Sequence, residues 1–351
     1  ATPAAPAAAP AKSTSDHLPG SPVLVTGAAG FIGRRVVQLL VKAGHTVRRL
    51  DLPGPLQAAP FPESAGRLSG ANLPAQSGVA PAEATHTIGG RGDDVACDLA
   101  DPQNAAKLDA AVQGIRTVVH LAGVMQEFDA TIEAVNLNGS KRLIEACTRG
   151  DVRRFIYLSS TGADTGRSKY LRACLIVEEL LHAQRRMEEM ILRCSPVFGV
   201  GDHFLTPIIR LFRSRKPLIP CLTNGWQVFN PIFVDDVAAI VGKLVNDEKA
   251  PPKTYTLGGN QPVELLDVFN MVQDATKRIK GVIHSPPFLT GLALPIGNLL
   301  WPEARMTLDF ANTLQKDTLL VQGEQNQTAS LLQSAPATLD GELPRVVEQT
   351  P

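Results

Sequence analysis

The run Thr26-Gly27-Ala28-Ala29-Gly30-Phe31-Ile32-Gly33 places small residues at spacings suited to phosphate binding. Gly27 would permit a tight turn, Gly30 would let the backbone approach a pyrophosphate, and Gly33 would let a helix pack closely on a strand. Free N–H groups at the start of such a helix attract phosphate oxygens. We therefore predict a dinucleotide-binding loop made by Thr26, Gly27, Ala29, Gly30, Phe31, Ile32 and Gly33.

The identity of the dinucleotide depends on the charges near its adenosine ribose. Asp51 ends the second predicted strand, 24 residues after Gly27. A carboxylate there accepts hydrogen bonds from the ribose hydroxyls and repels a 2′-phosphate, which favours NAD(H). Arg34, Arg48 and Arg49 argue the other way, because a guanidinium binds a 2′-phosphate well. The sequence favours NAD(H) and leaves NADP(H) open.

These residues need a framework of alternating strands and helices to position them. The glycine run follows the apolar segment 23–25 and precedes helical periodicity over 31–43. Further strand patterns alternate with helix patterns along the chain. We predict the further strands near residues 47–50, 94–97, 117–121, 154–158 and 190–193. The alternation predicts an α/β fold, a doubly wound parallel Rossmann sheet with a smaller C-terminal α/β capping part.

Changes in composition divide the chain further. Residues 1–21 are rich in Ala, Pro and Ser and predict a disordered N-terminal arm. Residues 22–200 predict the Rossmann domain, with 53–92 as a loop inserted after the second strand. Residues 201–321 predict the smaller part, interleaved with the Rossmann domain. Residues 322–351, rich in Gln, Thr and Pro, predict an extended tail.

The GxxGxxG spacing after a threonine resembles the extended form of the short-chain dehydrogenase/reductase superfamily. Later segments resemble motifs of the same superfamily: His120-Leu121-Ala122-Gly123, Asn136-Leu137-Asn138-Gly139-Ser140, Leu192-Arg193-Cys194-Ser195-Pro196-Val197-Phe198-Gly199 and Phe233-Val234-Asp235-Asp236-Val237-Ala238. The resemblance implies an adenine contact and a lining of the nicotinamide ribose. The residues it implies in cofactor binding are Asp98, Leu99, Leu121, Ala122, Gly123, Asn136, Tyr170 and Pro196.

The catalytic helix of this superfamily carries a tyrosine as acid/base group and a lysine four residues later, whose charge lowers the tyrosine pKa. The chain has three tyrosines, and the residues four positions after them are Thr161, Cys174 and Gly259. The segment around Tyr170 resembles the catalytic helix, with Cys174 in place of the lysine. Ser160 follows the fifth strand, where the superfamily keeps a catalytic Ser or Thr. We therefore expect Tyr170, Ser160 and Cys174 to be a vestigial catalytic set.

The bulk composition argues against several function classes. The formal net charge is +0, so no overall charge favours nucleic acid. The five cysteines form no CxxC pair and the histidines show no ligand spacing, so we expect no metal site. No apolar stretch reaches the roughly 18 residues that a transmembrane helix needs. The shorter apolar segment from Phe288 to Trp301 suits a buried segment or a peripheral membrane contact.

The missing lysine favours a protein that holds a nucleotide without using it. The segment Ser168-Lys169-Tyr170-Leu171-Arg172 resembles the dinucleotide-binding accessory subunits of mitochondrial NADH:ubiquinone oxidoreductase (complex I), a divergent family within the superfamily. This resemblance implies other subunits as partners. It also implies a mitochondrial location on the matrix side, peripheral to the inner membrane, while a plastid or the cytoplasm stays open.

Two alternative functions also stay open at this point. The first is an active NAD(P)-dependent oxidoreductase or sugar-nucleotide epimerase with an altered acid/base group, favoured by the glycine run and Asp51. The second is a scaffold that senses the cofactor, in which the bound nucleotide controls contacts with partners. A permanently held nucleotide would distinguish a structural role from sensing, which requires exchange.

Overall fold

A computed structural model describes residues 22–58, 94–221, 225–284, 290–302, 305–314 and 325–351. A seven-stranded, fully parallel sheet forms the centre of these residues, in the order β11-β6-β5-β4-β1-β2-β3. Its strands are β1 (Val23–Thr26), β2 (Val47–Asp51), β3 (Asp94–Ala96), β4 (Thr117–His120), β5 (Arg154–Ser160), β6 (Glu188–Cys194) and β11 (Thr254–Leu257). The predicted doubly wound Rossmann fold is confirmed.

The two faces of the sheet are both covered, which explains the nearly continuous apolar character of its strands. Helices α1 (Phe31–Lys42) and α7 (Val234–Asn246) pack on one face, against Val23, Val25 and β11. Helices α3 (Ala105–Val112), α4 (Ser140–Arg149) and α5 (Lys169–Ala183) pack on the other face. The sheet thus presents the carboxyl ends of its strands at one edge, where parallel sheets bind ligands.

The seventh strand enlarges the six-stranded sheet of the prediction. β11 lies beyond residue 250, yet it pairs in parallel with β6 along its full length, with Tyr255 opposite Leu192. Tyr255 and Leu257 are buried in the same core as β1, so the later part of the chain completes the Rossmann sheet. Between β4 and β5, a π-helix (Glu133–Gly139) precedes α4.

A smaller lobe follows β6 and has its own apolar core. Its helices are α6 (Leu205–Arg213), α8 (Leu265–Thr276), α9 (Thr290–Leu300), α10 (Leu308–Leu314) and α12 (Leu339–Gln349). Helix α11 (Thr328–Leu332) packs instead on the core that contains α7. Three two-stranded pairs accompany them: β7 (Val197–Phe198) with β10 (Ile232–Phe233), β9 (Val228–Phe229) with β12 (Val263–Glu264), and β8 (Leu218–Cys221) with β13 (Gly281–His284). Phe212 and Phe269 meet edge to face at the centre of this lobe.

The prediction of an extended tail over residues 322–351 is wrong for the part that the structure describes. Leu339, Leu343, Val346 and Val347 lie on one face of α12 and are buried in the core of the smaller lobe. Their spacing is helical, and the tail composition conceals it. The segment before α12 is anchored too, because Asp236 accepts a hydrogen bond from the Ala337 N–H (2.8 Å).

Two other sequence expectations concern residues that the structure does not describe. The predicted N-terminal arm, 1–21, lies outside the described residues. Within the predicted insertion 53–92, a short helix α2 (Pro53–Ala58) is described, and the rest lies outside. In the described part of the chain, no helix combines the length and the apolar character needed to cross a bilayer.

The packing of α12 generates the first prediction. Leu343→Ala should lower the free energy of unfolding by about 2–5 kcal/mol, because it opens a cavity in the core of the smaller lobe. The matched control is Leu299→Ala on α9, where the side chain is 81% exposed and the change should stay within about 0.5 kcal/mol. Urea unfolding measures both. Equal effects would show that α12 is not packed as described.

Candidate functional site

The glycine loop between β1 and α1 is folded too tightly for larger residues. Gly27 has a φ of +65°, and a Cβ there would lie 2.7 Å from the Ala122 backbone nitrogen. A Cβ on Gly33 would lie 2.0 Å from the Gly27 carbonyl oxygen. The loop therefore touches the chain that follows β4 on one side and the first turn of α1 on the other.

The first turn of α1 is an open cradle for an anion. Gly30 occupies the N-cap position without a capping side chain, and the first turn carries no acidic residue. The N–H groups of Phe31, Ile32 and Gly33 make no hydrogen bond within the described residues. Such N–H groups, at the positive end of a helix dipole, fit a pyrophosphate. The residues present therefore fit a bound dinucleotide.

The carboxylate of Asp51 stands at the end of β2, beside the glycine loop. Its Oδ2 accepts a hydrogen bond from the Ala29 N–H and its Oδ1 from the Leu52 N–H, both at 2.8 Å. These bonds hold the carboxylate at the carboxyl edge of the sheet, next to the phosphate cradle. This is the position from which a carboxylate can reach a ribose hydroxyl.

The three arginines proposed to bind a 2′-phosphate have other surroundings. Arg48 donates to the carbonyl oxygens of Ala111 and Gln113 at the end of α3. Arg49 is buried and forms a two-pronged pair with Asp94, at 2.7 and 2.5 Å.

Arg34 points to the other side of the glycine loop. Its Nη2 lies 3.7 Å from the place of a Cβ on Gly201, in the loop after β7. Burial lowers the pKa of Arg34, and the nearby Arg35 lowers it further.

A buried chain of hydrogen bonds joins the glycine loop to the π-helix through His120. Ser140 Oγ donates to the Asn136 carbonyl oxygen, so it accepts from His120 Nε2 (2.8 Å). His120 Nδ1 is then the acceptor for the Thr26 hydroxyl (2.7 Å), and Thr26 Oγ1 accepts weakly from the Ala122 N–H (3.4 Å). The bonds themselves assign this tautomer. A neutral His120 thus connects three predicted cofactor-binding residues.

The segment after β4 is braced by Asn136. Its amide accepts a hydrogen bond from the Val124 N–H (2.9 Å) and donates one to the Val124 carbonyl oxygen (3.0 Å). A Cβ on Gly123 would crowd the same amide at 3.3 Å. π-Helical turns are frequent at functional sites, and this one places Asn136 beside the loop that holds Leu121, Ala122 and Gly123.

The remaining predicted cofactor residues follow the carboxyl ends of two other strands, β3 and β6. Asp98 closes a turn by accepting from the Ala100 N–H (2.8 Å), and buried Leu99 packs against Gly139 of the π-helix. Pro196 follows β6, and its carbonyl oxygen accepts from the Ile232 N–H (3.0 Å). The structure therefore brings the predicted set to one edge of the sheet.

The proposed vestigial catalytic residues are also assembled together. The Tyr170 hydroxyl is enclosed beside Ser160 and Cys174, and Cys174 is buried under the hydroxyls of Tyr157 and Tyr170. Burial raises the pKa of Cys174 to about 11, so the thiol is neutral at pH 7. Burial raises the pKa of Tyr170 well above its usual range. Tyr170 and Ser160 thus lie near each other, while position 174 holds a neutral thiol and no cation.

Basic residues near Tyr170 in sequence or space have other partners. Lys169 forms an exposed ion pair with Glu127 (2.6 Å). Arg193 pairs with the buried Glu178 at 2.6 Å, and Ser159 donates to the same carboxylate at 2.5 Å. Glu178 stands one helical turn after Cys174 and belongs to this network. Neither cation replaces the lysine expected four residues after Tyr170.

Sequence reasoning missed two of these groups. In the sequence, His120 stands out only as part of a motif, and Glu178 belongs to no motif. Their signals are weak, because a histidine at a strand end and a glutamate inside a helix are common. The partners of both groups are distant in sequence, at a separation of 94 residues for Thr26 and His120.

The chain matches the model of the NAD dependent epimerase/dehydratase family over residues 23–258. The chain belongs to this family. The matched range begins at β1 and ends after β11, so it includes all seven strands of the sheet and every residue of the site described above. The expected resemblance to extended short-chain dehydrogenases/reductases is confirmed.

Relatives carry two different kinds of name. The "NADH dehydrogenase [ubiquinone] 1 alpha subcomplex subunit 9, mitochondrial" of Arabidopsis thaliana is 27% identical, over 84% of this chain and 70% of that protein. The "NADH-ubiquinone oxidoreductase 40 kDa subunit, mitochondrial" of Neurospora crassa is 25% identical, over 81% and 68%. A "3 beta-hydroxysteroid dehydrogenase/Delta 5-->4-isomerase" of Mycobacterium tuberculosis is 28% identical, over 72% and 69%.

Solved structures support the fold. MoeE5 in complex with UDP-glucuronic acid and NAD superposes with a TM-score of 0.66 at 21% identity, covering 93% of this chain and 98% of that one. The NADPH-dependent quinone oxidoreductase QOR2 of Escherichia coli gives a TM-score of 0.67 at 16% identity, covering 93% and 98%. Their titles name NAD in one case and NADPH in the other.

The buried His120 generates a pH prediction. Burial lowers its pKa to about 4, against 6.5 for a free histidine. The unfolded chain therefore binds more protons between these values, and the stability from neutral His120 is lost as the pH falls through this window. From pH 7 to pH 5 this loss should reach about 2 kcal/mol.

The measurement compares the wild-type protein with His120→Gln by urea unfolding at each pH. The variant should be less stable at pH 7, and the difference should shrink by about 2 kcal/mol at pH 5. Raised carboxyl pKa values, such as about 6 for Asp236, act in the opposite direction but cancel in the difference. A difference that does not change with pH would contradict a neutral, buried His120.

Proposed function

We propose that this protein is a non-catalytic, NAD(H)-binding accessory subunit of a mitochondrial respiratory assembly such as complex I, in which the nucleotide has a structural role. The observation that carries the proposal is Cys174, a neutral buried thiol at the position of the superfamily's lysine. The phosphate cradle at Phe31–Gly33 supports nucleotide binding. We therefore expect this site to bind a nucleotide without supporting proton transfer.

This substitution affects the pKa of Tyr170. A lysine ammonium would favour the ionised form of Tyr170, whereas Cys174 has no charge to offer at neutral pH. The pKa of Tyr170 stays far above neutrality because its hydroxyl is buried. Losing a tuned acid/base group typically removes about 10²–10⁴ in rate. A bound dinucleotide could supply hydride chemistry, but Tyr170 and Ser160 would serve only to hydrogen-bond and orient it.

We propose NAD(H) over NADP(H) for the same cradle. Asp51 supplies a carboxylate at the end of β2, which disfavours a 2′-phosphate. Arg48 and Arg49 are engaged with α3 and Asp94, and Arg34 points toward Gly201. Arg48 and Arg49 therefore already have partners away from Asp51, which supports the unphosphorylated ribose.

The proposed location and partners rest on the relatives. Two of them bear names of mitochondrial NADH dehydrogenase subunits, in a plant and in a fungus. We propose by analogy that this chain contacts other subunits of such an assembly on the matrix side. Fold-level likeness alone would not support this, because the same fold serves many enzymes.

We further propose that α9 attaches the protein to the membrane surface. Its outer face exposes Leu292 (73%), Ile296 (60%) and Leu299 (81%), spaced as one side of a helix. The adjoining β8–β13 pair exposes Leu218 and Ile283. The exposed cations Arg215, Lys277 and Arg278 come from segments next to these strands. An apolar helix beside cations suits the surface of an anionic membrane.

An active oxidoreductase or epimerase is the second candidate function. Ser160 lies near the Tyr170 hydroxyl, and one group of relatives is named as hydroxysteroid dehydrogenases. This candidate requires another group to ionise Tyr170. A cofactor-sensing scaffold shares the binding site and differs only in exchange of the nucleotide.

The central prediction concerns nucleotide content and turnover. The protein purified gently from its organelle should release about one equivalent of NAD(H) on denaturation, and this nucleotide should resist gel filtration. Asp51→Asn removes the charge near the ribose and should lower NAD(H) retention. Mass spectrometry of the released nucleotide measures both. Release of NADP(H) instead would overturn the cofactor assignment, and rapid exchange would favour the scaffold.

The same preparation tests catalysis. We expect no turnover of carbonyl or sugar-nucleotide substrates, and Tyr170→Phe should leave nucleotide retention nearly unchanged. Cys174→Lys is the informative variant, because it restores the cation and should lower the Tyr170 pKa in a spectroscopic titration. Turnover by the wild-type protein that Tyr170→Phe abolishes would sink the non-catalytic assignment.

The exposed face of α9 gives a separate prediction. The protein should bind vesicles of phosphatidylcholine with cardiolipin, and bind less to phosphatidylcholine alone. Leu292→Asn with Leu299→Asn should weaken this binding by roughly tenfold or more, since each leucine buries apolar surface in the membrane. The control is Val41→Asn on α1. Equal loss with Val41→Asn, or no binding at all, would contradict the assignment.

A further inference from the structure

Residues 305–314, which we call the strap, run across the site and end in α10. At one end, the Thr307 N–H donates to Gln126 Oε1 (2.8 Å). The Arg305 guanidinium stands 5.0 Å from the centre of the Phe128 ring. Both contacts fall on the segment after β4 that continues from the predicted ribose-binding residues. This end of the strap is therefore fixed to one wall of the site.

The other end of the strap is fixed to the start of α5. Asp309 accepts hydrogen bonds from the N–H groups of Lys169 (2.8 Å) and Tyr170 (3.4 Å). The hydroxyls of Thr313 and Ser168 are hydrogen-bonded to each other at 2.8 Å, and both side chains are buried. The strap is thus hydrogen-bonded to the start of α5, including the backbone N–H of Tyr170 itself.

The two walls come from neighbouring strands. The segment 124–128 follows β4, and α5 follows β5, so both begin at the carboxyl edge of the sheet, where ligands enter. The ion pair of Lys169 with Glu127 joins the same walls directly. The strap is bonded to both walls, so it spans the gap between them at the edge of the sheet where ligands enter.

A simple helix cap does not account for these contacts. Ser168 already caps α5 by accepting from the Leu171 N–H (3.1 Å). Asp309 adds acceptors for two more N–H groups of the first turn, which is consistent with capping alone. The contacts of Thr307 and Arg305 lie on the opposite wall, however, and do nothing for the end of α5. These two contacts fix the strap to the segment after β4, so the strap links the two walls.

We infer that the strap closes the substrate side of the cleft and restricts the site to a single dinucleotide, excluding a second organic substrate. The inference deepens the proposed function, because it concerns the same site. It identifies the specificity element as a segment of the chain's own smaller lobe. The closure acts at the tyrosine end and leaves the phosphate cradle at α1 untouched.

The reactivity of Cys174 with a thiol reagent tests the closure. Cys174 is buried beside Tyr170, so its modification requires the reagent to reach the surroundings of the tyrosine. Asp309→Ala should raise the rate of Cys174 modification by N-ethylmaleimide at least about tenfold, since hydrogen bonds to a charged group are lost. Peptide mass spectrometry measures the rate at each cysteine. Thr313→Val is a second variant, in case Asp309→Ala does not fold.

Two controls make the outcome decisive. Cys147 is fully buried in α4 among core residues on the far side of α5, so its rate reports global unfolding. Asn312→Ala changes an exposed residue of the strap and should leave both rates unchanged. Equal acceleration of the modification of Cys174 and Cys147 would overturn the closure. So would an unchanged Cys174 rate in both Asp309→Ala and Thr313→Val. The labelling follows removal of any bound nucleotide, so a failure of nucleotide binding would not be mistaken for failure of the strap.

Discussion

The close approach of Gly27 to the backbone of Ala122 is the constraint on which the site depends. A single Cβ at Gly27 would come within 2.7 Å of that backbone, and one at Gly33 would meet the Gly27 carbonyl oxygen. Because both contacts are with main chain, neither can be relieved by a side-chain rotation. The contact aligns the N-terminus of α1 with the loop after β4. The ends of β1 and β4 therefore form one site, and three N–H groups at the start of α1 remain available to an anion.

The polar groups behind this contact transmit its position to the other half of the site. Thr26, His120 and Ser140 connect the glycine loop to the π-helix, and Asn136 then holds Val124. Each donor in this chain has one acceptor, so the arrangement is stable only while His120 is neutral. Buried networks of this kind favour one geometry, because any displaced member leaves an unpaired group in an apolar core. The site is preorganised without a ligand.

Prediction from the sequence succeeded where the cause is local. The glycine run, its flanking strand and helix, and the missing lysine after Tyr170 are all read from spacing within a few residues. Long-range pairings could not be read in this way. Asp309 binds the backbone of Lys169 across 140 positions, and the seventh strand joins the sheet from beyond residue 250. In α12, Leu339, Leu343 and Val346 have helical spacing within a segment whose composition is typical of an extended tail.

The substitution of the lysine by Cys174 and the proposed closure by the strap have a common physical logic. An ammonium at position 174 would need a partner, because an unpaired cation in a buried site is costly. In this protein a neutral thiol fills that space, and the nearest buried carboxylate, Glu178, is neutralised by Arg193 instead. If the strap closes the cleft as we propose, an ionisable tyrosine would bring no advantage, whereas a neutral Tyr170 can still donate a hydrogen bond. The neutral residue at position 174 is therefore consistent with the proposed structural role of the nucleotide.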